Sequence, residues 1–144
     1  MTEPRSGRPG HPDDDGALPQ HVQDPIRAAL TRPATLDEDT RAQLYARAAA
    51  LSLGDPASDI PDDLTVYADK VALWAYKTLD REIDALRDAG RTDDEIFELT
   101  ICVALGAGSA RFLAGLAALD EALAERDTER DGLTDTETAD AHTD

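Results

Sequence analysis

TDDEIFELTICVALGAGSARFLAGLAAL, residues 92–119, is the stretch on which the fold of this chain turns. It opens as a capping box: Thr92 is placed to cap free helix N–H groups, and Glu95 to reach back to it. From Leu99 to Leu119 only Thr100, Ser109 and Arg111 are polar, so a helix here offers water no broad face. A helix apolar all round is buried, in a large core or against other subunits. Numbered at 100° per residue, Glu98, Ser109 and Asp120 fall in one sector, shared with Cys102, Leu113 and Leu116. That half-apolar sector is the expected solvent stripe. A body of about a hundred residues has little spare surface to cover it. The expectation is a homo-oligomer built through this helix, with Gly106, Gly108 and Gly115 letting another backbone approach.

Composition sets the outer bounds. The chain has 144 residues, suited to one domain, and a formal charge of −17 from 14 Lys plus Arg against 31 Asp plus Glu. Residues 1–23 contribute −2 and residues 126–144 contribute −5, which leaves −10 on residues 24–125. Such a field repels phosphate backbones and anionic lipid, so no nucleic-acid partner is expected. One cysteine, Cys102, allows no internal disulfide and points to a reducing cytoplasm. The N-terminus has no apolar core of a signal peptide. Between Glu98 and Arg111 lie twelve uncharged residues, short of the ~20 that span a bilayer, so no membrane is expected.

Along its length the chain reads as tail, helical body, tail. Residues 1–23 are rich in Pro, Gly and Asp and read as a disordered tail. Asp24-Pro25 starts a short helix to about Leu30. Thr35-Leu36-Asp37-Glu38 forms a second capping box, followed by Leu44, Ala48 and Leu51 on one face and a stop at Gly54-Asp55-Pro56. Pro61 opens a helix with Leu64, Tyr67, Val71, Trp74 and Thr78 at helical spacing. Thr78 caps the next, which carries Leu79, Ile83 and Leu86 and ends at Gly90. The long helix then runs from Asp93 to about Glu125, and residues 126–144 read as a solvated, disordered acidic tail. No strand pattern or heptad run appears. The body, residues 24–125, is all α.

Chemistry is sparse in this body. His11, His21 and His142 lie in the tails, leaving no imidazole for a triad or metal site; no metal and no cofactor are expected. Cys102 follows Glu98 by one turn in an apolar helix, and both surroundings raise a thiol pKa and keep it inert. Gly106-Ala107-Gly108 lacks the strand and the Lys-Ser/Thr ending of a phosphate loop and reads as close packing. Arg111 is a fixed charge in an apolar helix, which calls for a partner: either a structural ion pair or an anchor for a small anion. Tyr67, Lys70, Trp74 and Lys77 share a helical face with Tyr76 nearby, core in the plainer reading and a ligand pocket in the sharper one. Asp62, Asp63, Asp80 and Glu82 read first as helix-start residues.

The stretch from Tyr67 to Leu119 resembles the alkylhydroperoxidase D-like and carboxymuconolactone decarboxylase-like superfamily. The likeness covers about residues 61–119: a helix ending in Ala89-Gly90, the restart Thr92-Asp93-Asp94-Glu95-Ile96, and a long alanine-rich helix. It implies an all-α alkylhydroperoxidase D-like fold assembled into rings, with the long helix in cores and interfaces. The peroxidase members carry C-x-x-C-x-x-x-H before the Ala-Gly stop. Those positions fall near Ala75, Thr78 and Glu82, and the upstream carboxylate near Asp63. Both thiols and the imidazole are missing, so peroxidase activity is not expected. Two functions follow. One is a redox-inactive, oligomeric small-ligand-binding or assembly protein. The other is a cofactor-independent decarboxylase or isomerase, with Asp63 or Glu82 as acid/base and Lys70, Tyr76 or Arg111 holding a small anionic substrate.

Overall fold

The computed structural model describes residues 17–140, with side chains as far as Leu133. Five α-helices follow in order, with no strand among the described residues: α1 (Gln20–Thr31), α2 (Glu38–Leu53), α3 (Asp62–Trp74), α4 (Asp80–Asp88) and α5 (Asp93–Asp140). A single 3-10 turn, Ala75–Lys77, joins α3 to α4. The all-α expectation is met. α5 forms the spine: α2 makes the most extensive contact with it, α3 packs against both, and α1 touches α2 and α5.

Capping residues explain most boundaries. Thr92 and Glu95 form the reciprocal box: Glu95 N–H donates to Thr92 Oγ1 at 3.2 Å, and Thr92 N–H to Glu95 Oε2 at 2.8 Å. Gly54 and Gly90 adopt positive φ, 77° and 93°, and end α2 and α4, because only glycine enters that region without strain. α2 is capped by Asp37, whose Oδ1 accepts from Thr40 N–H at 2.8 Å. The box anticipated at Thr35 does not form, since the Thr35 and Leu36 amides are already bonded to Glu98. Thr78 is likewise not the cap of α4: its hydroxyl is buried without a partner. Glu82 reaches back to the Leu79 amide at 2.5 Å instead.

Two helices are longer than their sequence suggests. α1 begins at Gln20 rather than at Asp24-Pro25, with Pro25 inside it. Pro25 is the sixth residue of α1, past its first turn, so it removes the hydrogen bond to the His21 carbonyl and its ring crowds that group, a cost the helix carries. α5 continues past Glu125 to Asp140; no proline interrupts this extension, although Asp, Thr and Gly, all weak helix formers, make up most of it. The described side chains of this extension, residues 126–133, are exposed, so this part meets water as its composition implies, but it is helical where disorder was expected. Residues 1–16 and 141–144, with His11 and His142, lie outside the described residues. His21 sits exposed in the first turn of α1.

The core is built from Leu44, Leu64, Leu99, Cys102 and Val103, all fully buried, with Tyr67, Ala68 and Ala72 of α3 closing over them. Each buried aliphatic side chain contributes about 1.5–3 kcal/mol. Where α2 and α5 meet, Gly106 faces the backbone of Tyr45, and a Cβ built there would lie 2.2 Å from the Tyr45 carbonyl oxygen. The close approach expected of this glycine is therefore made inside the chain. Gly108 and Gly115 have nothing within 4 Å of that position. Gly106→Ala should force the two helices apart and cost about 2–3 kcal/mol or more, read as a lower midpoint in denaturant unfolding.

Candidate functional site

Asp63, at the start of α3, and Glu82, in the first turn of α4, line one pocket of 210 Å³ with Val66, Tyr67, Ala85 and Leu86. This brings together the two carboxylates that the sequence singles out. Each is already neutralised by a cation. Arg91 grips Asp63 with two parallel bonds, Nε–Oδ2 at 2.7 Å and Nη2–Oδ1 at 3.0 Å, and also bonds Glu95. Lys70, about two turns into α3, donates to Glu82 Oε1. The Arg91 bonds hold the Asp63 carboxyl below its usual range, overcoming partial burial. Lys70 and then the Leu79 amide do the same for Glu82. A carboxylate held ionised in this way is a weak base and a poor proton donor near neutrality. Tyr67 cannot supply the proton either. Thr100 Oγ1 donates to Ile96 O at 2.7 Å and accepts from the Tyr67 hydroxyl at 2.9 Å.

The three expected anion-binding residues do not converge. Lys70 is committed to Glu82. Tyr76 is exposed in the 3-10 turn, with the Lys77 ammonium 5.5 Å from its ring and 5.7 Å from that of Trp74. Arg111 is neither buried nor paired with a carboxylate. It lies on the exposed side of α5 and donates from Nη2 to Ala72 O at 2.6 Å. A cation at the end of α3 satisfies a free carbonyl and complements the negative end of the helix dipole. Among the described residues no group of three or more His, Cys, Asp or Glu side chains is gathered for a metal ion.

The buried charge of this fold is Arg41, 3% exposed, which sequence reading passed over. Its position was signalled: it precedes Leu44 by three residues and Ala48 by seven, on the apolar face of α2. Its Nε bonds Leu36 O at 3.1 Å, Nη1 bonds Ala29 O at 2.6 Å and Nη2 bonds Arg32 O at 2.7 Å. Opposite, Glu98 of α5 accepts the amides of Thr35 at 2.9 Å and Leu36 at 2.7 Å. Burial alone would raise the Glu98 pKa, but these two amides and Arg41 outweigh it and hold the carboxyl below its usual range. Burial raises the Cys102 thiol, Arg41 pulls it down and Glu98 pushes it up again, so it stays protonated.

Glu98, Cys102 and Ser109 therefore face inward, and of the expected solvent stripe only its C-terminal members Leu116 and Asp120 are exposed. Water meets the fully apolar line of α5. It starts with Phe97, Ile101 and Leu105, repeats eleven residues later as Gly108, Phe112 and Leu116, and begins again with Leu119 and Leu123. Phe97 is 67% exposed and Leu119 54%, and Ile101, Phe112, Leu116 and Leu123 are also exposed. An eleven-residue repeat, about 3.67 per turn, drifts only about 20° around the helix per repeat, so the line stays on one side of it. Its span is about 40 Å. Beside it, α1 and α5 leave an apolar groove of 400 Å³ lined by Leu18, Val22, Ile26, Leu105, Gly108 and Phe112. By length and composition α5 is also apolar enough to cross a membrane. Its most apolar 18-residue window has a mean hydropathy of 1.6 and is 28% buried, a window that the count between Glu98 and Arg111 had set aside.

The lowered carboxyls make acid the weak side of the fold. Glu98 contributes fully above its ordinary value of 4.5, and its contribution is lost as the pH falls through the lower native value. Wild-type stability should therefore drop below about pH 4.5. Glu98→Gln should lose about 1–3 kcal/mol at pH 7 and show a shallower acid dependence. Paired unfolding curves from pH 7 to pH 3 read both effects; parallel pH profiles would refute the assignment.

Comparison with protein families, with curated proteins and with solved structures finds no match for this chain.

Proposed function

We propose that this protein is a redox-inactive assembly module, a divergent alkylhydroperoxidase D-like helical domain that works as a soluble homo-oligomer in the cytoplasm. The observation that carries this reading is the unpartnered apolar line on α5, from Phe97 to Leu123. Contiguous exposed apolar faces of this size mark interaction surfaces rather than ordinary solvent faces. The chemistry elsewhere supports it. The two candidate acid/base groups are locked in ion pairs, and Lys70 and Arg111, the candidate holders of a small anion, are occupied by Glu82 and by the Ala72 carbonyl. These features weigh against the decarboxylase or isomerase alternative, in which a free base and a free cation share a pocket.

Two measurements test the proposal. Sedimentation equilibrium of the full chain at micromolar concentration should give a mass well above 15.5 kDa, and a monomer would remove the basis for an assembly role. In a peroxide-reduction assay with a dithiol donor, wild type and Cys102→Ala should be equally inactive. The native thiol, 2% exposed, should react with a thiol reagent only on unfolding. Turnover abolished by Cys102→Ala would overturn the redox-inactive reading.

A further inference from the structure

The apolar line of α5 has different ends. One turn before Phe97 the same line carries Asp94, and about one turn after Leu123 it carries Arg126. At 100° per residue these two fall within about 40° of each other around the helix. Both are exposed, and neither takes part in an ion pair among the described residues. The face thus runs acid, eight uncharged positions, guanidinium. Laid against a second copy in parallel, Asp94 meets Asp94 and Arg126 meets Arg126. Laid antiparallel, each Asp94 meets an Arg126.

The register follows from the same positions. Residues 94 and 126 lie equally far from the level of Ala110, so a two-fold axis there pairs both ends at once. The same axis sets Phe97 against Leu123, Ile101 against Leu119, and Gly108 against Phe112. Gly108 has open space around it, which leaves room for the partner's Phe112 ring. The groove between α1 and α5 opens beside this level and widens the seat. A face about 40 Å long and one helix diameter, about 10–12 Å, wide contributes roughly 400–500 Å² from each copy. With the groove the total is on the order of 1,000 Å², the threshold for a specific interface. The line is also where a chain of net charge −17 can approach its own copy without opposing carboxylates.

We infer that the Phe97–Leu123 line of α5 is a two-fold, antiparallel helix–helix interface with a second copy of this chain, its ends closed by Asp94–Arg126 pairs. An isologous interface requires a self-complementary face, and in this orientation the line is one. This inference rests on the assembly reading above and specifies its geometry.

Charge exchange tests the geometry apart from assembly itself. In the full chain, Asp94→Arg alone and Arg126→Asp alone each turn two symmetry-related attractions into repulsions. Each should raise the dimer dissociation constant about tenfold in sedimentation analysis. The double variant reverses both ends and should return to within about threefold of wild type. Both positions are on exposed helix surface, and at concentrations where all are monomeric the variants should unfold cooperatively, Arg126→Asp like wild type and Asp94→Arg slightly lower because it reverses a first-turn charge of α5. Leu116→Glu should give a folded monomer. Single exchanges that leave the dimer unchanged while Leu116→Glu abolishes it would overturn the antiparallel register but leave assembly through this helix standing. A dimer that survives Leu116→Glu would place the interface elsewhere. A monomeric wild type would overturn both, and a wild-type monomer that floats with phosphatidylcholine vesicles would assign the face to lipid.

Discussion

The peptide groups around Leu36 are held from both sides: Glu98 accepts its N–H and Arg41 donates to its C=O. The two side chains come from α5 and α2, and the loop they hold ends α1 and begins α2. Arg41 also takes the Ala29 and Arg32 carbonyls, where the negative end of the α1 dipole lies. Glu98 takes the amides that precede α2, at its positive end. A buried guanidinium costs several kcal/mol unless its donors are satisfied, and here three carbonyls and a nearby carboxylate meet that need. Removing either partner leaves polar groups stranded, so the two charges are coupled, and with them the placement of α1.

That arrangement decides which side of α5 faces out. Once Glu98 reaches the α2 start, the side of the helix bearing Cys102, Val103 and Gly106 must turn toward α2, where Gly106 allows contact with the Tyr45 backbone. Thr100 turns toward Tyr67 of α3, and Arg111 toward the last carbonyls of the same helix. Glu98, Thr100 and Arg111 are thus committed to other parts of the chain. What the helix shows to water includes one line without charge, bounded by Asp94 and Arg126. The exposed face follows from satisfying buried polar groups, because an unmet hydrogen bond in the interior costs more than leaving an aliphatic side chain wet.

The same logic quiets the pocket between α3 and α4. Arg91 and Lys70 are recruited to fix α5's start and α4 against α3, and in doing so they hold Asp63 and Glu82 ionised. An acid/base pair would need environments that drive the two pKa values apart; here both move downward. The charge network binds helices together and holds both carboxylates of this pocket ionised.

The sequence by itself determined the all-α class, the Thr92–Glu95 box, the Gly54 and Gly90 stops and the inert setting of Cys102. Each depends on neighbours within a turn or two, and local rules suffice. It also marked Asp63 and Glu82, although their shared pocket rests on how α3 meets α4. Thr35 was misread as a cap because its competitor, Glu98, is sixty-three residues away, and Thr78 because Glu82 reached the free amide first. Arg111 looked buried from its apolar neighbours but lies on the exposed side of its helix. The tertiary structure alone decided the outward face of α5. Helical spacing separates the faces of a helix, but when every face is largely apolar, the rotation is set by which distant backbone groups its few polar side chains must satisfy.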